Sequence, residues 1–408
     1  MHPVIKSLIV KRFRSIPSEK VDFGNPTFLV GRNGSGKSNL LDALAFLAEA
    51  MVSPLQAVFD RRGGINVVRN RFAPGGRAPN LGLAVLLGPM NGETQSGRYG
   101  FEVHALPNYG FEVLREQCLV VSRDGRRHWF DRTKGSFTTN VKGLEPSLDA
   151  TSLGLPVVGG VARFAPVLRA LAAMRTYAIE PAKLREMQDP DAGVSLRRDG
   201  SNAASVVQEI ERHSPKEDIP RICEILGTIV PNTVEVHPRK HGNKLSLEFV
   251  QEWGDGAEDS KDKKRRLRFD AFSMSDGTLR AVGLLTAVYQ RPTPSLLAIE
   301  EPEATIHPGA LGAVLDLLRH ASRRMQVVIS THSPDVLNAE WIEDDHLRVV
   351  EWQQGATRIA PISDASRQAL QQHLMGAGEL LRANALDAKP LFQEPKDLRL
   401  GGFFEDLA

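Results

Sequence analysis

The run Gly31-Arg32-Asn33-Gly34-Ser35-Gly36-Lys37-Ser38 matches the pattern G-x-x-x-x-G-K-[ST] at every fixed position. Glycines let such a loop curl until its backbone N–H groups face phosphate oxygens. Lys37 supplies positive charge to the outer phosphates, and the Ser38 hydroxyl is suited to Mg²⁺. A helix starting near Lys37 would aim its positive end at the same anions. The context agrees. β-rich runs at 4–13 and 20–30 come first, and Asn39–Met51 follows with helical spacing at Leu40, Leu41, Leu44, Leu47 and Ala48. A glycine-rich turn without a ligand would need neither neighbour. The expected nucleotide contacts are therefore Gly31, Asn33, Gly34, Ser35, Gly36, Lys37, Ser38 and Asn39.

Further along, Leu296–Ile299 is a short apolar run that closes in Glu300-Glu301-Pro302-Glu303. Carboxylates at the carboxyl end of a buried strand lie where open α/β sheets bind ligands. Glu300 is expected to hold Mg²⁺, directly or through water, and Glu301 to polarise the attacking water. The division of roles among Glu300, Glu301 and Glu303 stays open at this level, and a solvated acidic turn is the bland alternative. A second buried run, Gln326–Ser330, leads into Thr331-His332-Ser333-Pro334, which puts His332 in place to touch a γ-phosphate or its water. Ser275-Asp276-Gly277-Thr278 precedes an apolar helix. Taken alone it reads as an N-cap, although a helix N-terminus with free N–H groups also suits an anion.

Composition sets the class. With 41% hydrophobic and 25% charged residues among 408, the chain reads as globular, and a net charge of +2 announces neither nucleic acid nor membrane. Cys118 and Cys223 are too few for a disulfide framework or a zinc site. Leu153–Met174 is interrupted by Arg163 and Arg169, so no bilayer span is expected and the chain reads as cytoplasmic. The expected organisation is a split core at 1–51 and 270–360, a β-rich lobe at 52–160, a helical region plus hairpin at 161–269, and a C-terminal helix and tail at 361–408. The hairpin is expected over Thr233–Phe272, tipped by the polar loop Gly254–Arg266. Its basic run Lys261, Lys263, Lys264, Arg265, Arg266 and Arg268 reads either as a solvated tip or as a phosphate-backbone contact.

The motifs in this order resemble the ATP-binding-cassette superfamily, in its RecF/SMC-like branch and near the OLD (overcoming lysogenization defect) ATPases. Lys11-Arg12-Phe13-Arg14-Ser15, the phosphate loop, Ser275–Arg280, Glu300–Glu303 with His307-Pro308, and Ser330–Pro334 carry the likeness. It implies an α/β fold: a P-loop ABC-type ATPase head with a mixed β lobe, a parallel sheet flanked by helices, and an inserted helical/β region. It also implies ATP and Mg²⁺ as ligands, with Lys37, Glu301 and His332 as the catalytic set. In such heads the nucleotide is sandwiched in a homodimer or higher oligomer. Ser275 and Gly277 of one subunit would meet the γ-phosphate held by Lys37 of the other, and Glu303–His307 would cross the interface. Transporter ATPases usually show glycine and glutamine where Asp276 and Thr278 stand. No glutamine loop stands out, Gln117 being the one glutamine considered.

The resemblance implies an ATPase acting as a dimeric switch in DNA maintenance or anti-phage defence. OLD proteins often carry a Toprim nuclease domain. Here 76 residues follow His332 and contain no D-x-D of that kind, so a nuclease output is expected on a separate effector, with DNA as a further partner. The alternatives are a nuclease with an unrecognised site and, in third place, a transporter's energising subunit.

Overall fold

The computed structural model describes residues 4–70, 80–90, 94–108, 110–253, 265–390 and Phe404. Two compact units divide the chain, one of Met1–Arg175 with Ile342–Ala408 and one of Thr176–Trp341.

The first unit opens with β1 (Ile5–Phe13) and β2 (Ile16–Asp22), then β3 (Thr27–Val30) and α1 (Lys37–Ala50). The run at 20–30 thus divides into two strands. Pro26 has no N–H to give a ladder, and the Gly24 N–H turns back to Thr27 Oγ1 at 3.0 Å. Short helices α2 (Leu55–Asp60) and α3 (Ile65–Val68) follow, then β4 (Leu81–Leu87), β5 (Thr94–Ala105), β6 (Phe111–Ser122), β7 (Arg127–Thr133) and β8 (Ser136–Thr139). With β1 and β2 these form a seven-stranded sheet in the order β2-β1-β4-β5-β6-β7-β8, antiparallel throughout. The β lobe and the strands leading to the phosphate loop are therefore one sheet. Rings of Phe13, Phe46, Phe59 and Phe101 pack around α1 at its centre. Helices α4 (Gly154–Val158) and α5 (Ala165–Ala172) end this part.

The second unit begins at β9 (Arg175–Tyr177) and continues through α6 (Pro181–Arg185), α7 (Ala203–His213) and α8 (Asp218–Ile229). Next come β10 (Thr233–His241), β11 (Lys244–Trp253) and β12 (Arg265–Asp270). Where one hairpin was expected there are two, because Gly242-Asn243 makes a tight turn between β10 and β11. The loop 254–264, with Lys261, Lys263 and Lys264, lies outside the described residues. Arg266 and Arg268 sit on β12 within ion-pair distance of Glu235, Glu252 and Glu248, so this part of the basic run is charge-compensated. Helix α9 (Asp276–Tyr289) is buried along almost its whole length, with α6, α7, α8 and α10 (Pro308–Ser322) around it. Strands β13 (Leu296–Glu300) and β14 (Gln326–Thr331) run parallel, with β9 beyond β13, and α11 (Pro334–Leu337) closes the unit.

The chain then returns to the first unit as β15 (Leu347–Gln353), β16 (Ala356–Pro361), α12 (Asp364–Gln371) and α13 (Ala377–Arg382). Strand β15 is parallel to β3 and antiparallel to β16. The expected single C-terminal helix is thus two short ones. Of the tail beyond 390 only Phe404 is described, buried against Ile9 and Ala84. Among the described residues no helix is long and apolar enough to cross a membrane.

A buried polar knot fastens the lobe. The Glu116 carboxylate on β6 accepts from Gly154 N–H, Leu155 N–H and Tyr99 O–H. The Arg132 guanidinium, 4.0 Å away and equally buried, donates to the carbonyls of Asp149 and Ser152. Burial pushes the Glu116 carboxyl above its ordinary range. Truncating it would strand a buried cation and two N–H groups, so Glu116→Ala should lose about 3–5 kcal/mol in urea unfolding. A loss under about 1 kcal/mol would contradict this assignment.

Candidate functional site

The phosphate loop keeps its shape because bare backbone is pressed against its neighbours. A Cβ at Gly31 would lie 2.1 Å from the Val350 carbonyl, and one at Gly36 would lie 2.0 Å from Thr357 Oγ1. Gly36 also has φ 108°, a conformation that suits glycine, and it stands as the N-cap of α1. Lys37 is 5% exposed, and its ammonium donates to the Gly31 carbonyl at 2.8 Å and the Arg32 carbonyl at 3.1 Å. Arg32, Asn33, Gly34 and Ser38 are exposed.

Behind the loop runs a hydrogen-bond relay that the sequence did not reveal. Asn39 Nδ2 donates to Ser15 Oγ at 2.5 Å, Ser15 Oγ lies 2.6 Å from Thr357 Oγ1, and Thr357 Oγ1 donates to the Ser35 carbonyl at 2.9 Å. The single Thr357 hydroxyl proton goes to Ser35, so Ser15 is the donor between the two hydroxyls. Asn39 therefore braces the loop from within α1. Ser15 is set in turn by Arg14, which has φ 48° and donates to buried Asp42 at 2.6 Å. A cavity of about 510 Å³ opens on the other side of the loop, between Asn33, Trp352 and Leu386. Arg32 Nη2 donates to Asn384 Oδ1 at its edge, at 3.0 Å.

In the second unit the three carboxylates occupy three different environments. Glu300 accepts from Arg198 Nη2 at 2.6 Å. Glu301 has φ 42° and is pinned by its N–H to the Ser330 carbonyl at 3.0 Å. That left-handed kink costs of order 1–3 kcal/mol in a residue with a Cβ, a kind of strain concentrated at functional positions. Its Oε1 meets His332 Nδ1 at 3.0 Å, with the imidazole 42% and the carboxylate side chain 35% exposed. Glu303 is mostly buried. It accepts from Thr331 Oγ1 at 2.6 Å, and its other oxygen has no hydrogen-bond partner among the described residues. Burial, reinforced by the nearby Glu301 charge, raises its carboxyl above the usual range despite the Thr331 bond. Thr331 also accepts from Ser333 N–H, so the residues flanking His332 are anchored while the imidazole stays accessible.

At the head of α9, Ser275 Oγ accepts from Thr278 N–H at 3.2 Å, the N-cap bond read from sequence. Ser275 is exposed. Gly277 packs so closely that a Cβ would lie 2.6 Å from the Thr305 carbonyl. Asp276 pairs with Arg185 at 2.5 Å. Gln117 is buried in β6, with its amide on Asp131 at 3.0 Å.

The loop fits a triphosphate. Ser35 Oγ is buried and lacks a hydrogen-bond partner among the described residues, and the Lys37 ammonium lies against the Gly31 and Arg32 carbonyls of the loop. The Ser38 hydroxyl is exposed, and the Glu300 carboxylate accepts from the Arg198 guanidinium.

The α/β fold is that of an Smc ATPase head. The chain belongs to the family described as "AAA domain, putative AbiEii toxin, Type IV TA system", whose model matches residues 27–136 and 175–338, more than half of its length. It is similar to the DNA replication and repair protein RecF of Nostoc punctiforme, 26% identical over 144 residues, covering 31% of this chain and 36% of that one. RecF of Francisella tularensis subsp. novicida is 43% identical over 47 residues, 11% of this chain and 14% of the relative. The chain thus spans well under half the length of these curated relatives. Among solved structures, an Smc head bound to the C-winged helix domain of ScpA matches with TM-score 0.54 and 18% identity, over 90% of this chain and 99% of that one. An Smc head with an extended coiled coil, bound to a ScpA domain derived from Pyrococcus furiosus, gives 0.51 and 14%, over 91% and 99%.

The Thr357 relay is open to test. Thr357→Val removes the hydroxyl that holds the Ser35 carbonyl and should cost about 1–2 kcal/mol in denaturant unfolding. It should also weaken nucleotide binding severalfold, and Thr357→Ser should restore both. A valine variant that binds ATP as the wild type does would show the loop needs no such support.

Proposed function

We propose that the chain hydrolyses ATP and acts as an ATP-gated dimeric switch. The carrying observation is the Glu301–His332 pair, held by a left-handed backbone and an anchored turn at the ends of two parallel strands. Family membership and the phosphate loop support nucleotide binding.

Each residue then has a role. Gly31–Ser38 hold the phosphates through backbone N–H groups, and Lys37 exchanges its loop carbonyls for phosphate oxygens. Ser38 and Glu300 would hold Mg²⁺, which would supply charge neutralisation on the phosphates. Glu301 accepts the proton of the attacking water. His332 holds the Glu301 carboxylate in place through its Nδ1–H and, in the imidazolium form, donates its Nε2–H to the γ-phosphate. Ser275 and Gly277, at the N-terminus of a 14-residue helix, serve the nucleotide of a second copy, so the triphosphate bridges two heads and hydrolysis releases them. The curated relatives act in DNA replication and repair, and the family description names a toxin system. Both support a role in genome maintenance or defence, with the output on a separate effector.

Replacing Glu301 by glutamine keeps the shape but removes the base. Turnover should fall about 10²–10⁴-fold, and ATP should shift the variant to a dimer in light scattering coupled to gel filtration. Lys37→Ala should abolish nucleotide binding and dimer together. Wild-type hydrolysis by Glu301→Gln would sink the assignment.

A further inference from the structure

The Glu300 carboxylate is already engaged by a cation of the protein's own. Arg198 Nη2 lies 2.6 Å from Glu300 Oε1, with the arginine side chain 42% exposed and the glutamate 16%. A bond this short between opposite charges, shielded on the acidic side, belongs to the stronger class of hydrogen bonds.

The guanidinium is also presented by a braced backbone. The Arg198 carbonyl accepts from Ala178 N–H at 2.9 Å, and Glu180 N–H donates to the Asp199 carbonyl at 3.0 Å. Arg197 N–H donates to Asn202 Oδ1 at 2.7 Å. Asn202, 2% exposed, donates its own amide to Asp191 Oδ2 and the Ser195 carbonyl. The segment from Asp191 to Asn202 is thereby fastened to itself and to the chain following β9.

The chemistry of the strand end explains what a fastened arginine does there. Glu300, Glu301 and Glu303 crowd a single turn, and like charges at this spacing repel. Burial raises the Glu303 carboxyl above its usual range, Glu301 has the His332 contact, and Glu300 has the Arg198 ion pair. A divalent cation at Glu300 would face the guanidinium across one carboxylate, two positive centres contending for the same oxygens. One of them must yield.

We propose, on the reading of Glu300 as the Mg²⁺ carboxylate, that Arg198 is a tethered counter-ion that competes with Mg²⁺ and sets the metal concentration at which nucleotide binding is completed. Arg198 is a positioning residue: it holds Glu300 charge-balanced and correctly placed until metal and nucleotide arrive together. The apparent metal affinity is lowered by the fraction of molecules in which the ion pair is closed.

The test follows anisotropy of a fluorescent N-methylanthraniloyl ATP bound to the full chain while Mg²⁺ is titrated. It compares wild type with Arg198→Ala, Arg198→Lys and Glu300→Gln. Arg198→Ala should move the Mg²⁺ midpoint to roughly three- to tenfold lower concentration, leaving affinity in EDTA unchanged. Arg198→Lys keeps the charge without the forked geometry and should fall between. An unmoved or raised midpoint in Arg198→Ala, with Glu300→Gln needing more Mg²⁺ than wild type, overturns the counter-ion role while Glu300 keeps its assignment. A Glu300→Gln midpoint equal to wild type overturns both. If Arg198→Ala fails to fold, Arg198→Lys decides: a lowered midpoint supports the role, an unmoved one refutes it.

Discussion

The van der Waals contact of two glycines governs the rest of the first unit. Gly31 lies against the Val350 carbonyl and Gly36 against the Thr357 side chain, at distances that leave no room for a Cβ. Because the loop backbone rests directly on β15 and β16, its N–H groups have little freedom to collapse. Lys37 can then sit almost wholly buried, its ammonium satisfied by two carbonyls of the same loop. Desolvating an ammonium without partners costs several kcal/mol, so these neutral acceptors suffice until phosphate oxygens, which carry charge, replace them. The shape of the loop is thus fixed by its own packing on β15 and β16.

How far this could be read beforehand depended on distance along the chain. The phosphate loop, the β13 carboxylates and the Ser275 cap are contiguous, so spacing alone disclosed them, and β13 and β14 fall within a residue of their expected bounds. Thr357 was invisible because its partners Ser15 and Ser35 are 342 and 322 residues away. Arg198 is 102 residues from Glu300, in a stretch with no apolar period to mark it. The second hairpin was legible in principle: Gly242-Asn243 is a strong turn signal, but the reading took a single hairpin tipped by the long polar loop 254–266. Reading Ser275-Asp276 as a cap also succeeded, since a cap bond spans only three residues.

Environment also separates three side chains that composition makes equivalent. Glu300 lies beside the Arg198 guanidinium. Glu301 is about one-third exposed, bent out of the strand by its positive φ, and paired with a neutral-capable imidazole. That combination suits a proton acceptor, since the proton must enter and leave. Glu303 is buried with a raised pKa and a Thr331 bond, and reads as the support on which the turn rests. Mutual repulsion favours this split, because three identical ionised neighbours would be less stable than one paired, one exposed and one inclined to hold its proton.

The same reasoning bears on the proposed clasp at Ser275. Its hydroxyl oxygen accepts from the Thr278 N–H and so completes the first turn of α9. A hydroxyl that accepts still has a proton to donate, and Thr278 Oγ1, at 2.8 Å, is the neighbour that competes for it. A phosphate oxygen is a stronger acceptor than a threonine hydroxyl. It can therefore draw the Ser275 proton outward without undoing the cap, and α9 stays intact while its end engages. Gly277 contributes differently. Seated on the Thr305 carbonyl, it brings the α9 terminus against the turn that carries Glu301 and Glu303. Pressure on Ser275 from a second copy would thus reach the carboxylate turn through backbone contact alone, linking capture of one nucleotide to the geometry that cleaves another.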